Sequence, residues 1–172
     1  MSRLLYAPTT ANVDHVSSVT ETTLASWSIP ANTLGTSGVI HVYINWDYLN
    51  NSGAGETLTL RVKYGATTMF DDITPSIASN AARRAGVMDL YLHADGATNA
   101  QLLSGRMHLS AASATTSGTG DFGAIDILPA RTIGGTAAID STAAQNLVVT
   151  AQNTTSNANI STRLLSAFIE VL

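Results

Sequence analysis

Residues Val39–Leu49 read VIHVYINWDYL, and their pattern decides the fold. Ile40, Val42, Ile44, Trp46 and Tyr48 share one parity, while His41, Tyr43, Asn45 and Asp47 share the other. A β-strand sends successive side chains to opposite faces, so this stretch is a long strand with one apolar and one polar-aromatic face. The apolar face needs a cover, and in a chain built of strands that cover is a second sheet.

The same period-two pattern recurs on both sides of this strand. After the turn residues Asn50–Gly55, Glu56–Tyr64 places Leu58, Leu60, Val62 and Tyr64 inward and Thr57, Thr59, Arg61 and Lys63 outward. Two alternating runs around a Gly/Asn loop predict an antiparallel hairpin. Upstream, Glu21–Ile29 is a strand that ends at Pro30, and Ala31–Gly38 is a loop. Downstream, strands are expected at Ala66–Asp72, Val87–Ala94, Ala100–Ala111, Phe122–Leu128, Thr136–Ile139, Asn146–Gln152 and Ile160–Leu172. Ile160–Leu172 splits into Leu165, Ala167, Ile169 and Val171 against Leu164, Ser166 and Phe168, so both of its faces are apolar, as in a central or contact-buried strand. Ser76–Arg84 fits a helical turn or a loop, and Ser113–Gly120 is a Ser/Thr/Gly linker. The expectation is an all-β antiparallel sandwich of about eight to ten strands. Residues 1–16 form an N-terminal arm or edge strand, and residues 17–172 form the sandwich domain.

Composition narrows the function. Charged residues are 12% of the 172, about half the usual share of roughly 25%. Such a surface of Thr, Ser, Asn and Ala suits a protein whose faces meet neighbours. The net charge is −4 and Arg83-Arg84 is the sole adjacent basic pair, which disfavours nucleic acid as a partner. Without cysteine there is neither a disulfide framework nor a thiolate zinc site. No secretory signal and no apolar run of about 18 residues is read, so no membrane partner is expected.

Catalytic motifs are absent. Ser141 follows Asp140, and His15, His41, His93 and His108 are scattered, but no Gly-x-Ser-x-Gly elbow frames a nucleophile. Asp71, Asp72, Asp121, Asp126 and Asp140 sit near turns without the spacing of a calcium loop. No cofactor and no metal is expected, and the protein is read as a non-enzyme. The sharper constellation is the pairing of two stripes: His41, Tyr43, Asn45 and Asp47 on one strand, and Asp89, Tyr91 and His93 on another. Aromatic faces beside carboxylates and amides suit a subunit interface or a sugar-binding platform.

Two passages carry a resemblance. WSIPANTLG at Trp27–Gly35, followed by Gly38-Val39-Ile40 and by TLTLRVKYGATT at Thr57–Thr68, resembles a β-module common in tailed-bacteriophage virion proteins. AIDST at Ala138–Thr142, LVVTAQ at Leu147–Gln152 and the ending IEVL at Ile169–Leu172 resemble it too. The resemblance implies a jelly roll, a homotrimer, and a role as a capsid decoration (cement) protein or a head or tail fibre module. The implied partners are further copies of the chain and the major capsid protein, with a host surface glycan as partner in the fibre alternative. The implied location is the virion exterior, after synthesis in the host cytoplasm. Such modules carry no catalytic residues to transfer.

Overall fold

The computed structural model describes the backbone of residues 3–9, 13–110 and 128–172, and the side chains of 14–110 and 131–172. The strands in chain order are β1 (Arg3–Thr9), β2 (Val13–Val16), β3 (Thr22–Ile29), β4 (Val39–Asn50), β5 (Leu58–Tyr64), β6 (Thr67–Ile73), β7 (Asn80–Ala94), β8 (Gln101–Leu109), β9 (Leu128–Ala137), β10 (Gln145–Asn153) and β11 (Ile160–Val171). The expected linker Ser113–Gly120 lies outside the described residues, as does the expected strand Phe122–Leu128 apart from Leu128.

The strands form two antiparallel sheets. The larger runs β1-β11-β4-β7-β8-β9, with β2 also on β11, and the smaller runs β3-β10-β5-β6. The chain crosses between sheets at six of the ten connections: β2 to β3, β3 to β4, β4 to β5, β6 to β7, β9 to β10 and β10 to β11. This is the winding of a jelly roll. The N-terminal strands with β11, β4 and β7 make one half of it, β3, β10, β5 and β6 make the other, and the hairpin β8–β9 widens the first.

Alternation in β4 becomes burial. Ile40, Val42, Ile44, Trp46 and Tyr48 are each at most 1% exposed, and each such side chain taken from water contributes about 1.5–3 kcal/mol. They meet Leu58, Leu60, Val62 and Tyr64 of β5 and Leu147, Val149 and Ala151 of β10 in one core. Trp27 and Trp46 are core residues, the latter on the apolar parity of β4. Trp46 is directly opposite Gly86 on β7. A methyl there would stand 2.2 Å from Trp46 Cε2, so the indole requires a residue without Cβ. The short turn between β5 and β6 starts at Gly65 with φ 56°, the left-handed region that glycine enters at little cost.

Several local expectations are corrected. β4 and β5 are not a hairpin: β4 pairs with β11 and β7, and β5 pairs with β10 and β6. The Asn50–Gly55 loop carries the chain from one sheet to the other, and period-two patterning cannot distinguish a hairpin turn from such a corner. The Asn50 amide fixes this corner by donating to Ala54 O and Ile77 O at 2.8 Å each. Ser76–Arg84 is neither helical turn nor pure loop, because β7 already starts at Asn80. The parity of β11 slips at a bulge between Leu164 and Ser166, which buries Leu164 and turns Leu165 outward. β11 is flanked on both edges, by β4 and by β1 and β2.

Candidate functional site

The outward face of the larger sheet carries the polar-aromatic stripes, and the strand registers arrange it in ranks. Val39, His93, Leu102 and Thr136 form the first rank. Glu170, His41, Tyr91, Ser104 and Gly134 form the second. Phe168, Tyr43, Asp89, Arg106 and Thr132 form the third, and Ser166, Asn45, Val87 and His108 the fourth. Asp47 closes the face between Arg163 and Ala85. The two stripes expected from sequence are therefore adjacent strands of one surface.

His41 is the hub of the upper ranks. Its Nε2 lies 2.8 Å from Asp89 Oδ1 and its Nδ1 lies 3.0 Å from Glu170 Oε1. Donating to both carboxylates requires both ring nitrogens protonated, which is the imidazolium. Burial works against that charge but is outweighed by the hydrogen bonds and charges of Glu170 and Asp89, so the His41 pKa is raised. The ring stacks on Tyr91 with centroids 4.6 Å apart and 14° between planes, and it meets Phe168 edge-on at 5.5 Å. Tyr43 stacks against Phe168 at 5.6 Å. His93 is held by Ser104 Oγ at 3.0 Å, and the Asn45 amide donates to Ser166 Oγ at 2.9 Å.

A depression of about 380 Å³ opens on the third and fourth ranks, lined by Tyr43, Val87, Asp89, Arg106 and His108, with Met107 beneath. Alternation alone places none of Phe168, Glu170, Arg106 and His108 on the two stripes. Phe168 and Glu170 sit on a strand far along the chain, and only the register brings them beside His41. Arg106 and His108 shared a parity with Leu102 that gave no sign of a site.

Asp47 differs from its neighbours on this face. Its side chain is 8% exposed and holds two guanidinium groups, Arg83 Nη1 at 2.5 Å and Arg163 Nε at 3.0 Å with Nη2 also bonded. Arg83 continues to Ser161 Oγ at 2.5 Å. With its oxygens so occupied, the carboxylate clasps β4, β7 and β11 together rather than facing a ligand.

The other sequence candidates have local partners. Ser141 Oγ donates to Thr98 O at 2.8 Å and Ser141 is buried. Asp71 pairs with Arg61, Asp72 with Arg131 of β9, and the Asp140 carboxylate is held below its usual range by hydrogen bonds from Thr142. Asp121 and Asp126 lie outside the described residues. His15, 2% exposed, accepts the Asn153 N–H at Nε2 (3.3 Å) and meets Thr22 Oγ1 at Nδ1 (2.8 Å), joining β2 to β3 and β10.

Fold and face thus define a jelly-roll sandwich with one polar-aromatic surface. No protein-family model matches the chain, and no curated protein does. Among solved structures it is similar to the CBM2 module of the evolved Dit of Lactobacillus casei BL23 phage J-1, at 10% identity and TM-score 0.39, covering 84% of this chain and 67% of that one. It is similar to lectin II from Ulex europaeus at 12% identity and TM-score 0.41, covering 99% of this chain and 98% of that one. It is also similar to the structure of infectious bursal disease virus Gx strain, at 10% identity and TM-score 0.39, covering all of this chain and 42% of that one. At this level no residue role transfers from any of them.

Proposed function

We propose that the chain is a non-enzymatic structural protein of a bacteriophage virion, a decoration protein that binds the major capsid lattice from outside as a homotrimer. The observation that carries this is the way its few charges are used. Arg61, Lys63, Arg83, Arg84, Arg106, Arg131 and Arg163, the basic side chains among the described residues, all have partners within the chain. What faces outward is then largely neutral Thr, Ser, Asn and Ala, with Val19, Ile73, Leu102, Leu165 and Leu172 exposed among them. Such a surface loses less hydration energy than a charged one when it packs against another protein. Binding at junctions between capsid subunits would stabilise the closed shell over its free components by mass action. The sequence resemblance to phage virion modules supports the same assignment.

Purified protein mixed with undecorated capsids is expected to sediment with them, in multiples of three copies at local three-fold positions. In solution its mass is expected to be three times 17.9 kDa by light scattering. A monomer that stays in the supernatant would overturn the proposal. A second reading, a carbohydrate-binding module of a head or tail fibre, is favoured by the depression beside Tyr43.

A further inference from the structure

We propose that this depression is a subsite for a neutral hexopyranose: the Tyr43 ring is the platform, the Asp89 carboxylate accepts from a sugar hydroxyl, and the Arg106 guanidinium donates to its neighbour. The site lies on the outward face of the larger sheet, and it rests on the carbohydrate-binding reading, not on the decoration role.

Tyr43, Asp89 and Arg106 lie directly opposite one another across β4, β7 and β8. Strands are spaced about 4.8 Å apart, so the three side chains span roughly 10 Å of one rank. A volume of about 380 Å³ lies at the small end of ligand pockets, suited to one sugar ring with its substituents. Val87 and the Tyr43 ring give the lining its apolar part, against which the C–H face of a pyranose loses water favourably.

The polar groups are both fixed and available. Asp89 Oδ1 is anchored by His41 Nε2 at 2.8 Å, whereas among the described residues Oδ2 has only the Arg106 Nη2 contact at 3.5 Å. Oδ2 therefore retains capacity for a hydroxyl donor. The Arg106 side chain is 77% exposed, so that long ion pair holds it weakly and its N–H fork can turn to an incoming oxygen. Vicinal hydroxyls match this pair, since one donates to the carboxylate while the other accepts from the guanidinium. The two carboxylates, Asp89 and Glu170, are matched by two cations, Arg106 and the His41 imidazolium, so the site carries no net charge that would favour an acidic or a cationic sugar over a neutral ring.

Order before binding is the remaining requirement. Phe168 backs Tyr43, and His41 orients Asp89, so these groups lose little freedom when a ligand arrives. The groups stand on strands rather than loops.

The test uses the full chain on a glycan array, followed by calorimetric titration with methyl gluco-, galacto- and mannopyranoside. At least one neutral hexoside is expected to bind. Tyr43→Ala and Asp89→Asn should each weaken it by about tenfold or more, as loss of a ring platform or a charged hydrogen-bond partner requires. Leu102→Ala, on the same face outside the depression, should bind as the parent does. Should Tyr43→Ala fail to fold, Arg106→Gln on its exposed side chain carries the test, and loss of affinity supports the site. Failure of every neutral hexoside, a preference for uronates, or undiminished affinity in the folded variants would overturn it.

Discussion

Asp47→Asn removes one charge while keeping the side chain's shape, and it addresses the clasp that binds three strands of the larger sheet. In the parent, the carboxylate takes hydrogen bonds from Arg83 Nη1 at 2.5 Å and from Arg163 Nε at 3.0 Å and Nη2. Breaking a buried ion pair costs about 3–5 kcal/mol, because the partner charges stay behind uncompensated. Here the Arg83 and Arg163 side chains are 27% and 31% exposed, so water screens part of the loss, and about 2–3 kcal/mol is the expected destabilisation. For a domain of this size 1 kcal/mol moves Tm by about 2–4 °C, which gives a fall of roughly 4–12 °C. Urea unfolding followed by circular dichroism would measure the free energy, and calorimetry the midpoint. A cycle with Arg163→Gln should return a coupling of about 1 kcal/mol or more. An Asp47→Asn protein within about 0.5 kcal/mol of the parent would refute the clasp, since that is the range of an ordinary surface substitution.

Gly86→Ala should destabilise by about 1–3 kcal/mol through overpacking against Trp46, and a shift of the tryptophan fluorescence maximum would report the displaced indole. His15 and His41 should bend the stability–pH curve in opposite senses. Burial lowers the His15 pKa, only partly offset by its hydrogen bond to the Ser18 backbone, so the unfolded chain binds the proton more readily. Stability from His15 is whole above the unfolded value of 6.5 and falls as the pH drops below it. His41 has a raised folded pKa, so its contribution is whole below 6.5 and is lost as the pH rises through the folded value. Urea midpoints of His15→Gln and His41→Gln across about pH 5–8 should differ from the parent with slopes of opposite sign, and slopes of one sign would contradict the bonding described.

How far the sequence reached follows from what alternation encodes. It marks which side of a strand is dry, so Ile40 to Tyr48 and Leu58 to Tyr64 were legible as core. It is silent on which strand lies alongside. Leu58–Tyr64 fits equally beside β4 or across the sandwich from it, and only the crossing at Asn50–Gly55 decides. A single inserted residue shifts the parity, which is why strict alternation groups Leu165 with Ala167 and Ile169 although the bulge turns it outward. The stripes of Tyr43 and Tyr91 were visible because each lies on one strand. The depression was not, because Asp89, Arg106 and Phe168 meet Tyr43 only through pairings remote in the chain.

The placement of β11 has a consequence for synthesis. β1 and β2 both lie along β11, whose first residue, Ile160, comes more than 140 residues after Val16. As the chain leaves the ribosome, its earliest strands have no edge to join and β4 shows a bare flank where β11 belongs. A product interrupted before Ile160 is thus left sticky rather than partly useful. Synthesis through β11 is therefore the step that closes the larger sheet and hides the flank of β4.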